Sequence, residues 1–435
     1  MSPARNEAGA GSRSPAGHRR ARVAPGLGLA VWFAIVAACA TPPAYEAEMA
    51  STRAALERGD VASARGALTH RLAAREGRHA EAALLRLELA TVALAEGDWA
   101  GAAEALAEAD PMLEVIDLTR DDAGEVLSWL YADAARPYRS PPWEKLMVNV
   151  LGMAARLAAD DVRGALVEAR RFEVIARYFR ERADDPGGVL EVGELLAAVA
   201  HARVGRQQVA ARYERALRAK HPELFDEAGP AAGGDGEGHG EVLVVVAHGR
   251  VPHKVGARVT AAELERLAVQ PGAGAQLRAI GEDRLPFVEL RGARSPGDLP
   301  RVQLGDVAVQ ALWADLGATT RAGFEAARPR LARAAVTRAL SRGGVHQTLA
   351  ALDRSPRDGQ VGFAAGLGGS LAAAMRASDV PDTRSWSTLP ASLGAARVSA
   401  PAGAAVVTVT IGDERREVPI VVPPRGIATA VVIAP

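Results

Sequence analysis

Cysteine occurs once in this chain, at Cys39, so neither an intrachain disulfide nor a cysteine-built metal cage is available to it. Aromatics are scarce as well, eighteen in 435 residues, which leaves the core to Ala, Leu and Val. Charge of one sign is not in surplus. Lys+Arg and Asp+Glu both number 52, and no basic stripe is interleaved with aromatics, which excludes nucleic acid as a partner. Lysine is confined to Lys145, Lys220 and Lys254, and this shortage removes two chemistries by inventory. A Ser-x-x-Lys nucleophile fails because Pro142, Leu217 and Val251 stand three residues before the lysines. A phosphate loop needs Gly before Lys, where Glu144, Ala219 and His253 stand. No histidine follows His346, so the near-elbow Gly368-Gly369-Ser370-Leu371-Ala372 lacks the downstream base such hydrolases require. Among the remaining histidines, His239, His248 and His253 surround one apolar run without a carboxylate at ligand spacing, and read as strand-edge side chains. The sequence thus offers no catalytic residue, no metal site and no cofactor site.

What is present begins at the N-terminus. Arg19, Arg20 and Arg22 precede an uncharged apolar stretch over 23–38, too short and too Gly/Pro-punctuated for a membrane span. It ends in Val36-Ala37-Ala38-Cys39, which resembles the lipobox of bacterial lipoproteins. That resemblance implies a signal peptide over 1–38, a lipid on Cys39, and a short stiff tether over 39–43. By the sorting analogy, Ala40 in place of Asp implies the outer membrane, with the chain facing the periplasm.

Residues 44–226 are rich in Ala, Leu, Glu and Arg at helical spacing. Leu146, Val150, Met153 and Leu157 mark one stripe; Ala165, Ala169, Phe172, Ala176 and Phe179 a second; Val209, Tyr213 and Ala216 a third. Turn signals recur at Gly59-Asp60, Gly97-Asp98, Asp160-Asp161 and Gly205-Arg206, each followed by small residues one turn later. The pattern resembles the tetratricopeptide repeat, although the turn spacings of 38, 63 and 45 residues are uneven and 110–142 interrupts it. A Gly-rich linker over 227–240 leads to a mixed C-terminal domain over 241–435. There, strands are expected at 242–247, 287–290 and 302–304, a helix from Pro329, a buried helix over 361–375, and a hairpin of 406–411 and 418–422 around Gly412-Asp413. A last strand at 427–433 completes a β-sandwich-like end. The expected fold class is α+β, with an all-α tetratricopeptide-like array followed by a mixed, increasingly β-rich domain.

Three stretches carry a further resemblance: Arg136-Pro137-Tyr138 through Met147-Val148-Asn149; Asp161 through Arg171; and Asp382-Thr383-Arg384-Ser385-Trp386-Ser387-Thr388-Leu389-Pro390. With the strand at 241–247 and the step Pro401-Ala402-Gly403, they are similar to an uncharacterised family of bacterial lipoproteins with an N-terminal tetratricopeptide-like region. The resemblance implies an envelope location and this domain order, and brings no activity. The Arg384/Trp386 loop is a candidate partner-binding site, against the alternative of a buried Trp with Arg stacked on it. The expected function is a lipid-anchored periplasmic scaffold or adaptor that binds other envelope proteins through the helical array. The alternative is a cell-wall or polysaccharide binding protein or enzyme acting through the C-terminal domain.

Overall fold

The turn signals set the architecture. In the computed structural model, residues 44–74, 79–118, 138, 140–182, 186–222, 224, 238–292, 299–353 and 380–434 are described. The leader, Cys39, the tether, most of the linker and the expected helix at 361–375 lie outside them. Eight helices precede the first strand among the described residues: α1 (Tyr45–Glu57), α2 (Val61–Ala74), α3 (His79–Glu96), α4 (Trp99–Leu118), α5 (Pro142–Ala158), α6 (Val162–Arg182), α7 (Val189–Arg203) and α8 (Gln207–Lys220). At the joints after α1, α3 and α5 the chain turns through a positive φ at Gly59, Gly97 and Asp160. An aspartate then caps the next helix: Asp60, Asp98 and Asp161 accept from the backbone N–H of Ser63, Gly101 and Gly164 at 3.1, 2.9 and 2.9 Å.

The hairpins stack so that successive helices alternate between two layers. In the inner layer α5 buries 14 of its 17 residues and α7 buries 12 of 15, so both are covered on nearly every side. In the outer layer α2 buries only Ala64 and Leu68, and α8 only Ala210, Tyr213 and Leu217. The stripes on α5 and α6 lie inward as expected, whereas on α8 Ala216 is exposed and Leu217 takes the buried position.

The inner layer is covered by a mixed sheet in the order β10-β1-β7-β6, built from β1 (His239–His248), β6 (Leu312–Asp315), β7 (Ser392–Pro401) and β10 (Ile427–Ala434). β1 pairs parallel with β10 and antiparallel with β7. Its Leu243, Val245 and Ala247 join the core shared with the helices. Val242, Val244 and Val246 face a second, antiparallel sheet, β5-β4-β8-β9, of β4 (Arg301–Leu304), β5 (Val307–Val309), β8 (Gly403–Ile411) and β9 (Glu414–Val422). A strand covered on both faces must be apolar throughout, which explains the unbroken 242–247 run. The expected hairpin is β8–β9, turning at Gly412-Asp413. A smaller core joins the ribbon of β2 (His253–Thr260) and β3 (Arg284–Arg291) to α9 (Ala261–Ala268), α10 (Ala273–Ala279) and α11 (Leu316–Asp353). The described residues belong to one compact unit, so the change from helix to strand near His239 divides secondary structure and not packing.

Two boundaries differ from expectation. α11 starts at Leu316, because the Asp315 carboxylate accepts from the Ala318 N–H at 2.7 Å and caps it there; Pro329 lies inside the helix. α4 continues past Asp110 to Leu118 with Pro111 inside it. Proline has no N–H, so the Ala107 carbonyl loses its intrahelical partner.

Layer contact depends on close helix approach. A Cβ at Gly193 of α7 would sit 2.2 Å from the fully buried Phe172 ring of α6. Gly193→Ala is therefore expected to cost about 1–3 kcal/mol by overpacking. Urea denaturation measures this, and an unchanged midpoint contradicts the stated α6–α7 contact.

Candidate functional site

A strap over 380–391 ties the strands to the helices. Its anchor is Glu88 of α3, a fully buried carboxylate that accepts five hydrogen bonds. Tyr45 Oη donates at 3.0 Å, Ser387 N and Oγ at 2.8 and 2.9 Å, and Thr388 N and Oγ1 at 2.8 and 2.5 Å. Burial, opposed by these donors, raises the Glu88 pKa above the ordinary carboxylate value. Nearby, Trp386 Nε1 reaches Thr91 Oγ1 at 3.5 Å. Arg384 grips Asp382 with Nε and Nη2, both at 2.8 Å.

The Arg384/Trp386 loop expected to meet a partner is corrected by this geometry. The two residues are 2% and 1% exposed, and both face inward. Arg384 forms a bidentate pair with Asp382. Glu88 was missed; a lone carboxylate within the run Leu84-Leu85-Arg86-Leu87-Glu88-Leu89-Ala90 was the available signal.

A second polar cluster joins α4, α5 and α6. Lys145 Nζ donates to the Asp110 carbonyl and meets its Oδ1, both at 2.7 Å. Arg171 bridges Asp110 Oδ2 and Glu168 Oε1 at 3.4 and 3.3 Å, and Asn149 Nδ2 donates to Glu168 Oε2 at 3.1 Å. Above it opens a cleft of about 360 Å³, floored by Ala100, Ala103 and Ala107 of α4. Glu104, Glu108 and Asp161 form its acidic rim, and Arg156 pairs with Asp161 at 2.6 Å. Ala107, whose carbonyl is denied the i+4 donor by Pro111, lines this cleft.

The outward face of α6 is unusual. Val167, Val174 and Tyr178 are 44%, 70% and 40% exposed. Their i, i+7, i+11 spacing sets them in one stripe, opposite the buried alanines and phenylalanines. Arg163 precedes them and Arg170 and Arg177 stand between them, all three exposed and without an ion pair among the described residues. Exposed apolar residues set among arginines match the composition of protein interfaces. By sequence α4 carries five carboxylates and no basic residue, of which Asp110 is buried against Lys145 and Arg171 and Glu108 pairs with Arg86 at 2.6 Å; α6 and α8 together carry ten basic and four acidic residues. The sequence reading followed the buried stripe of α6 and overlooked the exposed one on the same wheel.

The structure does not bring the three candidate histidines together. His239 and His248 lie at opposite ends of β1, roughly 30 Å apart at strand rise, and His253 opens β2. No group of three metal-ligating side chains forms among the described residues.

Two outcomes follow. Glu88→Gln turns an amide N–H₂ toward the backbone N–H of Ser387 or Thr388, which can only donate, and is expected to lower stability by about 2–3 kcal/mol in urea titration; an unaltered midpoint removes Glu88 as the anchor. His253 is held down to about 4 by burial, reinforced by Arg53, Arg291 and Arg250, so it stays neutral when folded and protonates once unfolded. Its contribution is therefore complete above pH 6.5 and is lost as pH falls toward 4. His253→Asn should flatten that part of the stability profile, and an identical slope in both proteins refutes the assignment. Comparison with protein-family models, curated proteins and solved structures gives no match to this chain.

Proposed function

We propose that this chain is a non-catalytic adaptor of the bacterial envelope. A lipid on Cys39 tethers it to the outer membrane, facing the periplasm. Its tetratricopeptide-like helical layer docks proteins of that compartment through the outward face of α6. The carrying observation is the exposed stripe of Val167, Val174 and Tyr178 among Arg163, Arg170 and Arg177. Peptide-binding helical arrays commonly use their inner face; here that face is filled by β1, β7 and β10, so docking falls to the outer one. Tyrosine and arginine are among the residues most often dominant in such contacts. Support for the tether is the ordered sequence of Arg19, Arg20 and Arg22, an apolar run, and Val36-Ala37-Ala38-Cys39.

A photoreactive amino acid at position 174, in the full chain in intact cells, should yield a discrete protein adduct. The same probe at Val421, 74% exposed on β9, should not. Val174→Glu should cut photocapture from a probe at 178 at least tenfold without shifting thermal melting. Equal capture at 174 and 421 would falsify the docking face. Fatty-acid analogue labelling should be lost in Cys39→Ala, and retained labelling refutes the tether.

A further inference from the structure

We propose that the groove between α6 and α8, at the end of α7, is a binding site for a phosphate monoester, held by Arg170, Arg206 and Arg212 over the imidazole of His201. The site goes beyond the docking reading and does not require it.

The fourth helical joint differs from the other three in charge. In those three, Asp60, Asp98 and Asp161 supply a carboxylate to the first-turn N–H groups of the next helix. Gly205 makes the same turn at positive φ, but Arg206 stands at the capping position and α8 opens without a side-chain cap. The positive end of the helix is thus joined by a cation in place of an anion. Free N–H groups beside a guanidinium are a donor set for an oxyanion.

The second observation is His201, in the last turn of α7, where the cover of the inner layer stops. It is 7% exposed, and its Nδ1 is sealed from solvent with no hydrogen-bond partner among the described residues. Nε2 is therefore the nitrogen left to donate to a ligand. Printed contacts fix the ring in the groove. Arg206 N donates to the His201 carbonyl at 3.0 Å, and the imidazole stacks on Tyr213 of α8 with ring centroids 6.1 Å apart. The Arg212 guanidinium lies 5.3 Å from that Tyr213 ring. Tyr213 Oη donates across to Glu173 of α6 at 2.9 Å, and Arg170 lies one turn before Glu173 on the same side of its helix. Burial holds the His201 pKa below its ordinary value, and Arg206, Arg170 and Arg212 push the same way, with Glu173 opposing.

The charge balance selects the ligand. The carboxylates at hand are engaged: Glu173 meets Arg180 at 3.3 Å as well as Tyr213, and Asp160 pairs with Arg203. Arg170, Arg206 and Arg212 are exposed and have no ion pair among the described residues. A phosphate monoester brings about two negative charges near neutral pH and three acceptor oxygens, which suit guanidinium forks. A phosphodiester or a carboxylate brings one charge and leaves more of the cluster unneutralised.

The test titrates the full chain in detergent with inorganic phosphate, against chloride at equal ionic strength, by calorimetry. One phosphate per chain should bind with a dissociation constant below about 1 mM, and glycerol 3-phosphate at least as tightly. Glycerophosphoglycerol, the diester headgroup of an anionic phospholipid, should bind at least tenfold more weakly. Arg206→Asp installs the cap of the other three joints, so it should lower phosphate affinity at least tenfold while melting no lower than the unaltered chain. Arg212→Gln should weaken binding at least threefold. Nuclear magnetic resonance of the labelled His201 ring should show its titration moving to higher pH when phosphate is added, because a bound dianion favours the imidazolium form. The proposal is overturned if phosphate saturates no site above the chloride background, or if Arg206→Asp binds it as the unaltered chain does. Equal affinity for the diester overturns the monoester and puts a lipid headgroup in its place.

Discussion

Double-sided burial of β1 is the constraint from which the rest of the structure follows. A central strand with an unbroken apolar sequence needs a cover on each face, and one chain must supply both. The helices α3, α5 and α7 supply the first, through Leu243, Val245 and Ala247; the sheet β5-β4-β8-β9 supplies the second, through Val242, Val244 and Val246. The inner helical layer therefore has no face left for a ligand. In the proposed reading, protein recognition is carried by the exposed valines on α6.

Apolar layers can slide, and the polar strap over 380–391 prevents it. Hydrophobic contact is non-directional, whereas Glu88 accepts from fixed donors on Tyr45, Ser387 and Thr388 and so specifies one register of strands on helices. The same strap occupies the free edge of β2: Lys254 N donates to Ser385 Oγ at 3.3 Å, and Gly256 N to Glu46 Oε2 at 2.7 Å. An open strand edge is a site for pairing with other chains, and side-chain acceptors from α1 and the strap close this one.

Local chemistry was legible in the sequence and long-range chemistry was not. The Gly59-Asp60, Gly97-Asp98 and Asp160-Asp161 turns announce a tight turn and an aspartate cap, and α2, α4 and α6 start where those signals stand. The 242–247 run announces a buried strand because burial on both faces erases alternation. Residues Arg384 and Trp386 could not be read this way. Their surroundings come from α1 and α3, some 300 residues earlier, and an arginine beside a tryptophan looks the same in a strap as on a surface. The start of α11 was misplaced because Pro329 is a strong local signal, while the effective cap, Asp315, stands at the end of a four-residue strand. The outer stripe of α6 was legible in principle: Val167, Val174 and Tyr178 oppose the Ala165, Ala169 and Phe172 stripe on any helical wheel.

The near absence of lysine bears on what the outer face can do. Three of the 52 basic residues are lysine, so the cations on α6 and α8 are guanidinium groups, except for Lys220. Guanidinium is more weakly hydrated than ammonium, stacks on aromatic faces, and binds carboxylate through two parallel donors. A lysine face attracts acidic surfaces at long range but resists desolvation; an arginine face can attract and then enter the dry centre of a contact. Val174 and Tyr178 supply apolar area at that centre, while Arg163, Arg170 and Arg177 supply direction around it. The exposed charges govern encounter and selection, because salt screens them beyond about 10 Å at 0.1 M. The apolar stripe governs how long the contact lasts. In the proposed reading, a surface divided in this way selects a carboxylate-bearing protein face.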